Sequence, residues 1–539
     1  MHNGEKVLVG VAAVLFIFSL GRFAYSKITS PFRAEEGVYT EGIVGRLKNT
    51  NPVFTDFNDA DRDIAQIVFS GLIRYDPLEK NFFPDLAEKW DRSSDGKTYT
   101  FTLRDNVFWH DGTPFTAEDV LFTFHDIIQH PTFRNPLLRN QFQRIKISSS
   151  GPRNIIFVLP KANSYFLSDL TIGILPRHIL GDTPALNIEN STFGQAPIGT
   201  GPYQLTKIAL DDEGDYADLS LFPQYYGKKP TVPRIRFFTF PNEKKLVQFQ
   251  KMLRALGKIP LSVAENLPIM RDRFSINTYS LNQFSAIFFN TENPFLKEKK
   301  MRQALRYSLD KKLLLGTGER RVDGLDLQDH SAETAFKYRP EETSKILEEL
   351  GFRKDAKGSL ISSKAEKVAF RLLAHAKTPV SLLENIVKQW QAIGVEISYQ
   401  TAETQDFISL VEEHKYDILL IRQNLGYNRD VYPLFHSNQI PGEAPASPEE
   451  EIGSGLNYAL FKSFRTDGLT EAIRKEKDPD DKEKLLKELS AAITDEAPLI
   501  FLSTPIYAYA LEKDIATFPV QDLDFHSNRF SLLPYLIQP

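Results

Sequence analysis

The 539-residue chain is 42% apolar and 25% charged, the proportions of a folded protein with more than one lobe, since single cores stop growing near roughly 250–300 residues. A formal net charge of −5 supplies no positive field to hold nucleic acid or an anionic lipid surface. The absence of cysteine excludes disulfides, thiolate metal sites, cysteine nucleophiles and lipid attachment through sulfur; stability rests on burial, which 40 Phe and 20 Tyr make strongly aromatic.

The segment Val7 to Gly21, VLVGVAAVLFIFSLG, carries no charge. As a helix it spans roughly 22 Å, and Arg22 to Tyr25 extend it toward the ~30 Å of a bilayer's hydrocarbon core. It reads as an export signal kept as an N-terminal transmembrane anchor helix. A cleaved signal peptide is the alternative, because Ala24 and Ser26 place small residues two apart. Either form puts the bulk of the chain outside the cytoplasm.

Beyond a charged spacer, Ile64, Ile67 and Val68 fall on one face of a helix within 62–73. TYTFTL follows as a half-buried strand, with Tyr99, Phe101 and Leu103 on one face and threonines on the other. The strand runs to Trp109, turns through His110-Asp111-Gly112-Thr113-Pro114, and enters a helix at Thr116-Ala-Glu-Asp119, the pattern of a capping box. Val120, Leu121, Phe124, Ile127 and Ile128 give that helix its apolar stripe. His110 and Asp111 are therefore turn residues between two core elements, and no serine or other nucleophile sits at a motif position to complete a triad. Residues 209–216, ALDDEGDY, read as a hairpin tip.

The second half has a βαβ rhythm. VAFRLLAH (368–375) is a strand, Leu382 to Ile393 a helical stripe stopped by Gly394, and VEISYQ a second, parallel strand. YDILLIR reads as a further buried strand. Ligands of open parallel sheets gather beyond the carboxyl ends of the strands. That position selects His375, Arg422, Asn424, Tyr427 and Asp430 as cleft residues. Residues 438–455 form a loop rich in Pro, Gly and Glu; Asp478-Pro479 opens a helix, and APLIFLSTPIYAYAL reads as a last buried strand broken at Pro505.

No dinucleotide or nucleotide loop, zinc-protease motif or nucleophile elbow occurs. Asp478, Asp480 and Asp481 lack the glycine of a calcium loop and read as a helix cap. His125 and His130, five apart, do not align for one metal. No catalytic residue, metal site or cofactor is assigned.

The blocks "FSGLIRYDP" (69–77), "PDLAEKWDRSSDGKTYTFTLRDNVFWHDGTPFTAEDVLFTF" (84–124), "PIGTGPYQL" (197–205), "FFNTENPFLKEKKMRQALRYSLDKKLLL" (288–315), "YRPEETSKILEELGF" (338–352), "WQAIGVEI" (390–397), "YPLFHSNQIP" (432–441) and "DEAPLIFL" (495–502) resemble, in order, the solute-binding proteins of ABC importers, family 5, which take oligopeptides, dipeptides or nickel. The resemblance implies an α/β, periplasmic-binding-protein-like two-lobed clamshell (type II, cluster C) with an extra inserted domain. Residues 1–37 would be the anchor or signal and spacer; 38–75, 191–275 and 505–539 the first lobe; 76–190 the inserted domain; and 276–504 the second lobe. Gly199, Gly201 and Pro202 would form a tight turn at the return to the first lobe.

Relatives that bind peptides place an acidic residue in an Ala-Asp-Tyr stretch after the strand matching YDILLIR. Here the stretch reads Leu425-Gly426-Tyr427, without the carboxylate. Alignment on "YPLFHS" makes Asp430 the counterpart of a nearby aspartate, either holding the ligand or capping a turn. The implied function is a membrane-anchored solute-binding component that captures a peptide or similar small solute between its lobes and delivers it to ABC permease subunits. It would act as a monomer, without enzymatic activity, cofactor or nucleic acid. The alternative is a non-transport receptor or envelope interaction protein on the same clamshell, with Glu449 to Glu451 in a docking loop.

Overall fold

The computed structural model describes residues 38–56, 58–325, 338–427, 430–443, 455–515 and 522–532. The apolar segment Val7 to Gly21 and most of the acidic loop 438–455 lie outside the described residues. Among those described, no helix is long and apolar enough to cross a membrane.

The helix expected in 62–73 is Asp59–Val68. It starts earlier because the Asn58 side chain accepts a hydrogen bond from the Ala60 N–H, and Asp59 and Asp61 sit at its positive end. Thr98–Leu103 alternates as expected, burying Tyr99, Phe101 and Leu103. With Ala87–Arg92, Asn154–Val158 and Lys146–Ser149 it makes a four-stranded antiparallel sheet.

The His110 turn is pinned to the "GTGPY" segment. His110 N–H donates to the Gly199 carbonyl (2.9 Å), its Nδ1 accepts from Gly199 N–H (3.2 Å), and its Nε2 lies 3.0 Å from the Gly201 carbonyl. This assigns a neutral ring with its proton on Nε2, and burial lowers its pKa to about 4. Gly199 is dictated by proximity, since a Cβ there would fall 1.9 Å from the Val68 carbonyl oxygen. The histidine and glycines lock one turn onto another.

The capping box forms at Thr116 and opens the helix Ala117–Leu121, but Phe122–Ile128 winds as a π-helix rather than continuing the α-helix. The Thr123 hydroxyl donates to the Asp119 carbonyl and accepts from Leu175 N–H, each at 2.8 Å, so a side chain competes inside the ladder.

The main sheet runs Glu396–Ala402, Ala369–His375, Ile418–Asn424, Gln283–Phe289, Leu499–Glu512, Ala255–Pro260, Tyr39–Val44, Arg234–Phe240, Asp215–Leu221, Tyr203–Ala209. The βαβ expectation holds: Ala369–His375 lies parallel to both Glu396–Ala402 and Ile418–Asn424, with Val380–Ala392 as the crossover helix. The break expected at Pro505 is absent, and Leu499–Glu512 is one strand of 14 residues. What changes there is its partner. Leu499–Ser503 pairs with Gln283–Phe289, whereas Ile506–Glu512 pairs with Phe274–Leu281. Pro505 itself stands opposite Glu319 of the short strand Glu319–Arg321, off the main run of the sheet, where a missing N–H is tolerated.

The apolar residues divide accordingly. One cluster joins Tyr39, Ile43 and Ile64 to Phe101, Phe124 and Phe157, so residues of the four-stranded sheet share a core with the first half. A second face of the first half packs around Phe238, Phe240 and Leu256. The second half has a separate cluster around Ile287, Leu373, Trp390 and Leu419. Backbone crosses between the halves at Leu281-Asn282-Gln283 and along Ser503 to Ile506.

Candidate functional site

A cavity of about 740 Å³ opens where the two halves meet. Most of its wall belongs to the first half and its attached sheet: the helix Asp59–Val68, the hairpin Ile73–Asp76 with Asn81–Pro84, and the one-turn helix Phe166–Asp169. The second half contributes Leu425, Gly426 and Tyr427, the turn that follows the strand Ile418–Asn424.

That turn is built by its own sequence. Asn424 Oδ1 accepts from the Gly426 N–H at 2.9 Å, and Gly426 adopts φ +55°, with the Phe525 ring 2.6 Å from where a Cβ would stand. The turn aims Tyr427 across the cavity. Its ring lies 4.6 Å from Tyr75, 4.9 Å from Phe525 and 6.2 Å from Phe82, and its hydroxyl accepts from Asn528 Nδ2 at 2.8 Å. Burial pushes the Tyr427 hydroxyl up to about 12. Arg62, held by Asp56, stacks on the opposite side of the cluster, 4.4 Å from the Phe525 ring centre.

Two carboxyl groups of the wall are perturbed by burial. Asp85 accepts from the Tyr226 hydroxyl, which also reaches Ser70 Oγ at 2.9 Å. Burial raises its pKa to about 6 against the opposing pull of that hydrogen bond and of Arg74 and Arg104. Asp169, at the end of its one-turn helix, is raised to about 7, first by burial, with Asp430 adding repulsion. Among the described residues, no group of three or more His, Cys, Asp or Glu gathers to hold a metal ion.

Of the residues picked out by strand-end position, Tyr427 lines the cavity. Arg422 points to Ser285 (3.2 Å) and, at 3.8 Å, to Glu319, beside the backbone crossing. Asn424 shapes the turn. His375 stands toward the sheet edge, its Nε2 3.0 Å from Thr404 Oγ1. Asp430 is buried, capping Tyr432 N–H at 3.1 Å and receiving Arg474 through bonds of 2.6 and 2.9 Å. Asp85, Asp169, Arg104 and Phe525 were not picked out. Asp85 lay inside a matched block, but neither periodicity nor motif marks a residue in a one-turn helix such as Asp169.

The model of the bacterial extracellular solute-binding proteins, family 5 (middle region), matches residues 81–443. The oligopeptide-binding protein AppA of Bacillus subtilis is 24% identical over 515 residues, covering 89% of either chain. The dipeptide-binding protein of Escherichia coli is 24% identical over 522 residues, covering 89% of this chain and 92% of its own. The crystal structure of NikZ from Campylobacter jejuni in complex with Ni(L-His) aligns at a TM-score of 0.70 and 26% identity, covering 93% of this chain and 99% of that one.

Proposed function

Because the chain belongs to the bacterial extracellular solute-binding proteins, family 5, we propose that it captures a small solute, a peptide foremost, in the cavity between its halves and presents it to the permease of an ABC importer. It is a binding protein and not an enzyme, and it works outside the cytoplasm. The observation that carries the reading is a cavity of about 740 Å³ walled by both halves of a molecule whose halves keep separate cores. That volume suits a ligand of a few residues. Two strand crossings leave the halves free to rock, and a solute touching both walls stabilises the closed form by its differential affinity.

The segmentation that fits this reading makes 38–75, 191–275 and 505–539 one lobe, 276–504 the other, and 76–190 an insertion in the first. The segment Val7 to Gly21 would export the chain and hold it at the membrane as a monomer, close to the permease that reads the closed form. Tyr427 faces the solute directly; Arg422, Asn424, Asp430 and His375 act through the turn and the sheet edge behind it.

Native mass spectrometry of the full-length chain, released from membranes in mild detergent, tests capture. The expected result is a co-purifying mass of a few hundred daltons that exchanges with added tri- to pentapeptides, together with a smaller radius of gyration in small-angle scattering when peptide is present. A shape that stays constant across a peptide library would instead support a docking receptor.

A further inference from the structure

Across one rim of the cavity the inserted segment 76–190 reaches the helices Phe464–Lys475 and Pro479–Glu496 of the second half. The loop 161–165, between the strand Asn154–Val158 and the one-turn helix Phe166–Asp169, makes most of these contacts. Ser164 donates its N–H to the Arg474 carbonyl at 2.8 Å, and its hydroxyl accepts from Lys482 Nζ at 2.7 Å. Lys161 pairs with Glu471 at 3.5 Å, and Lys477 donates to the Ser94 carbonyl at 2.8 Å. Tyr165 reaches further. Among the described residues it is the one hydrophobic side chain from 38–275 packed against the second half's core cluster, and Lys482 Nζ lies 4.4 Å from its ring centre. The receiving surface is itself fixed, since Asp430 holds Arg474, in the last turn of its helix, through bonds of 2.6 and 2.9 Å.

The loop is tied to the cavity as well. The Tyr99 hydroxyl donates to the Asn163 carbonyl at 2.9 Å, and Asn163 Oδ1 accepts from Tyr165 N–H at 2.9 Å. The Tyr165 carbonyl accepts from the Ser168 N–H and hydroxyl at 3.0 and 2.7 Å. Ser168, Asp169 and Thr171, which continue this loop, line the cavity. We propose that the loop 161–165 is the clasp of the closed clamshell, with Tyr165 as a positioning residue that fastens the insertion onto the second half when the cavity is shut. The inference rests on the solute-capture reading and gives the insertion a task within it. Apart from the Tyr165 ring the contacts are polar, so water replaces them at little cost when the halves part. A solute against Ser168 and Thr171 steadies the one-turn helix from which Tyr165 hangs, so occupancy and fastening support one another. None of Lys161, Ser164, Tyr165 and Lys482 lines the cavity. The clasp therefore sets how long a solute stays, not which solute enters.

The chain has no cysteine, so spin labels at Asp95→Cys and Lys484→Cys, exposed positions on the two sides of the rim, report the distance across it and nothing else. Pulsed electron resonance on the full-length chain in mild detergent, without peptide, is expected to show a short-distance population. Its ratio to the long-distance population should fall about 10-fold in Tyr165→Ala and in Lys482→Met, and stay near wild type in Tyr165→Phe, which keeps the ring. Pooled tri- to pentapeptides at millimolar concentration should refill the short population in every variant. Bound peptides should leave Tyr165→Ala about 10-fold faster, by the same factor for each peptide, with entry rates unchanged. Thermal unfolding of each variant checks that it is folded. Wild-type distances in folded Tyr165→Ala and Lys482→Met, or a loss of affinity that differs between peptides, overturn the clasp while leaving solute capture intact. A short population that falls in both variants but responds to peptide in no chain supports the clasp and overturns peptide capture.

Discussion

Asp169 carries a stability cost whose sign is fixed by its surroundings. The charged groups facing it are Asp430 and Arg474 from the other half, and the ionisable Tyr99 from the four-stranded sheet; Ser168 and Gln141 are neutral. Its folded pKa is raised to about 7, against roughly 3.9 in an unfolded chain. The folded state thus binds the extra proton across that window, and stability is lost as pH rises through about 7 and fully retained below about 4. Asp169→Asn removes the ionised form. The expected outcome is an empty-state melting temperature above wild type by about 1–3 °C at pH 8, a gap that closes as pH falls toward 4. A temperature difference that is constant between pH 8 and pH 4 would refute the assignment. Asp169 and Asp85 escaped sequence reading because their meaning lies in what surrounds them. An aspartate in "YFLSDL" is indistinguishable from a surface residue until the chain closes over it. Tyr427 was legible because strand ends are where an open parallel sheet places its ligand.

Elements of the first half are tied by one buried cation. Arg529, in the short 3-10 helix His526–Ser531, donates to Glu41 Oε1 at 2.6 Å and to both oxygens of Asp63 at 2.8 and 2.6 Å. It thereby joins the strand Tyr39–Val44, the helix Asp59–Val68 and the C-terminal segment, and Tyr39 and Tyr509 close the network on Glu41 at 2.8 and 3.0 Å. Removing one partner of a buried pair leaves charge without compensation, at a cost of about 3–5 kcal/mol. Arg529→Met is therefore expected to lose about that much stability in urea unfolding at pH 8. The deficit shrinks toward pH 5, because Asp63, already raised to about 6 by burial, then takes up a proton. A deficit below about 1 kcal/mol at pH 8 would show that the triad contributes no more than a surface pair. The elements themselves were largely readable. The period-2 strand at Tyr99 and the βαβ unit around Trp390 formed as expected, since their apolar faces admit one register each. Two features were hidden. The π-helix at Phe122–Ile128 depends on a hydroxyl, Thr123, bonded to a residue 52 positions away. The continuity of Leu499–Glu512 through Pro505 depends on which neighbours flank it, and pattern alone carries no information about partners. Glu41, Asp63 and Arg529 are likewise spread across the chain, so nothing local marks them as one unit.

At the scale of the whole molecule, closure depends on how much contact bridges the cavity. Tyr427 reaches from the second half to Tyr75, Phe82 and Phe525, while Ser164 N–H donates to the Arg474 carbonyl at 2.8 Å and Lys482 to Ser164 Oγ at 2.7 Å on the far rim. Aromatic pairs contribute about 0.5–1.5 kcal/mol each beyond area burial, and hydrogen bonds such as those of the far rim about 0.5–1.5 kcal/mol each. The Tyr427 cluster thus supplies a few kcal/mol, below the roughly 5.5 kcal/mol needed to swing a population from 1:99 to 99:1. That inequality suits a clamshell that closes on a solute and reopens without it. Truncating Tyr427 removes the aromatic bridge and leaves the hinge strands untouched. Tyr427→Ala is expected to raise the radius of gyration of the empty chain in small-angle scattering, while saturating solute still restores the compact form. Apparent affinity falls roughly 10- to 100-fold through the lost closure energy. If the empty variant keeps the wild-type radius and affinity, the aromatic bridge does not govern closure, and the balance lies in the rim contacts at Ser164 and Lys482.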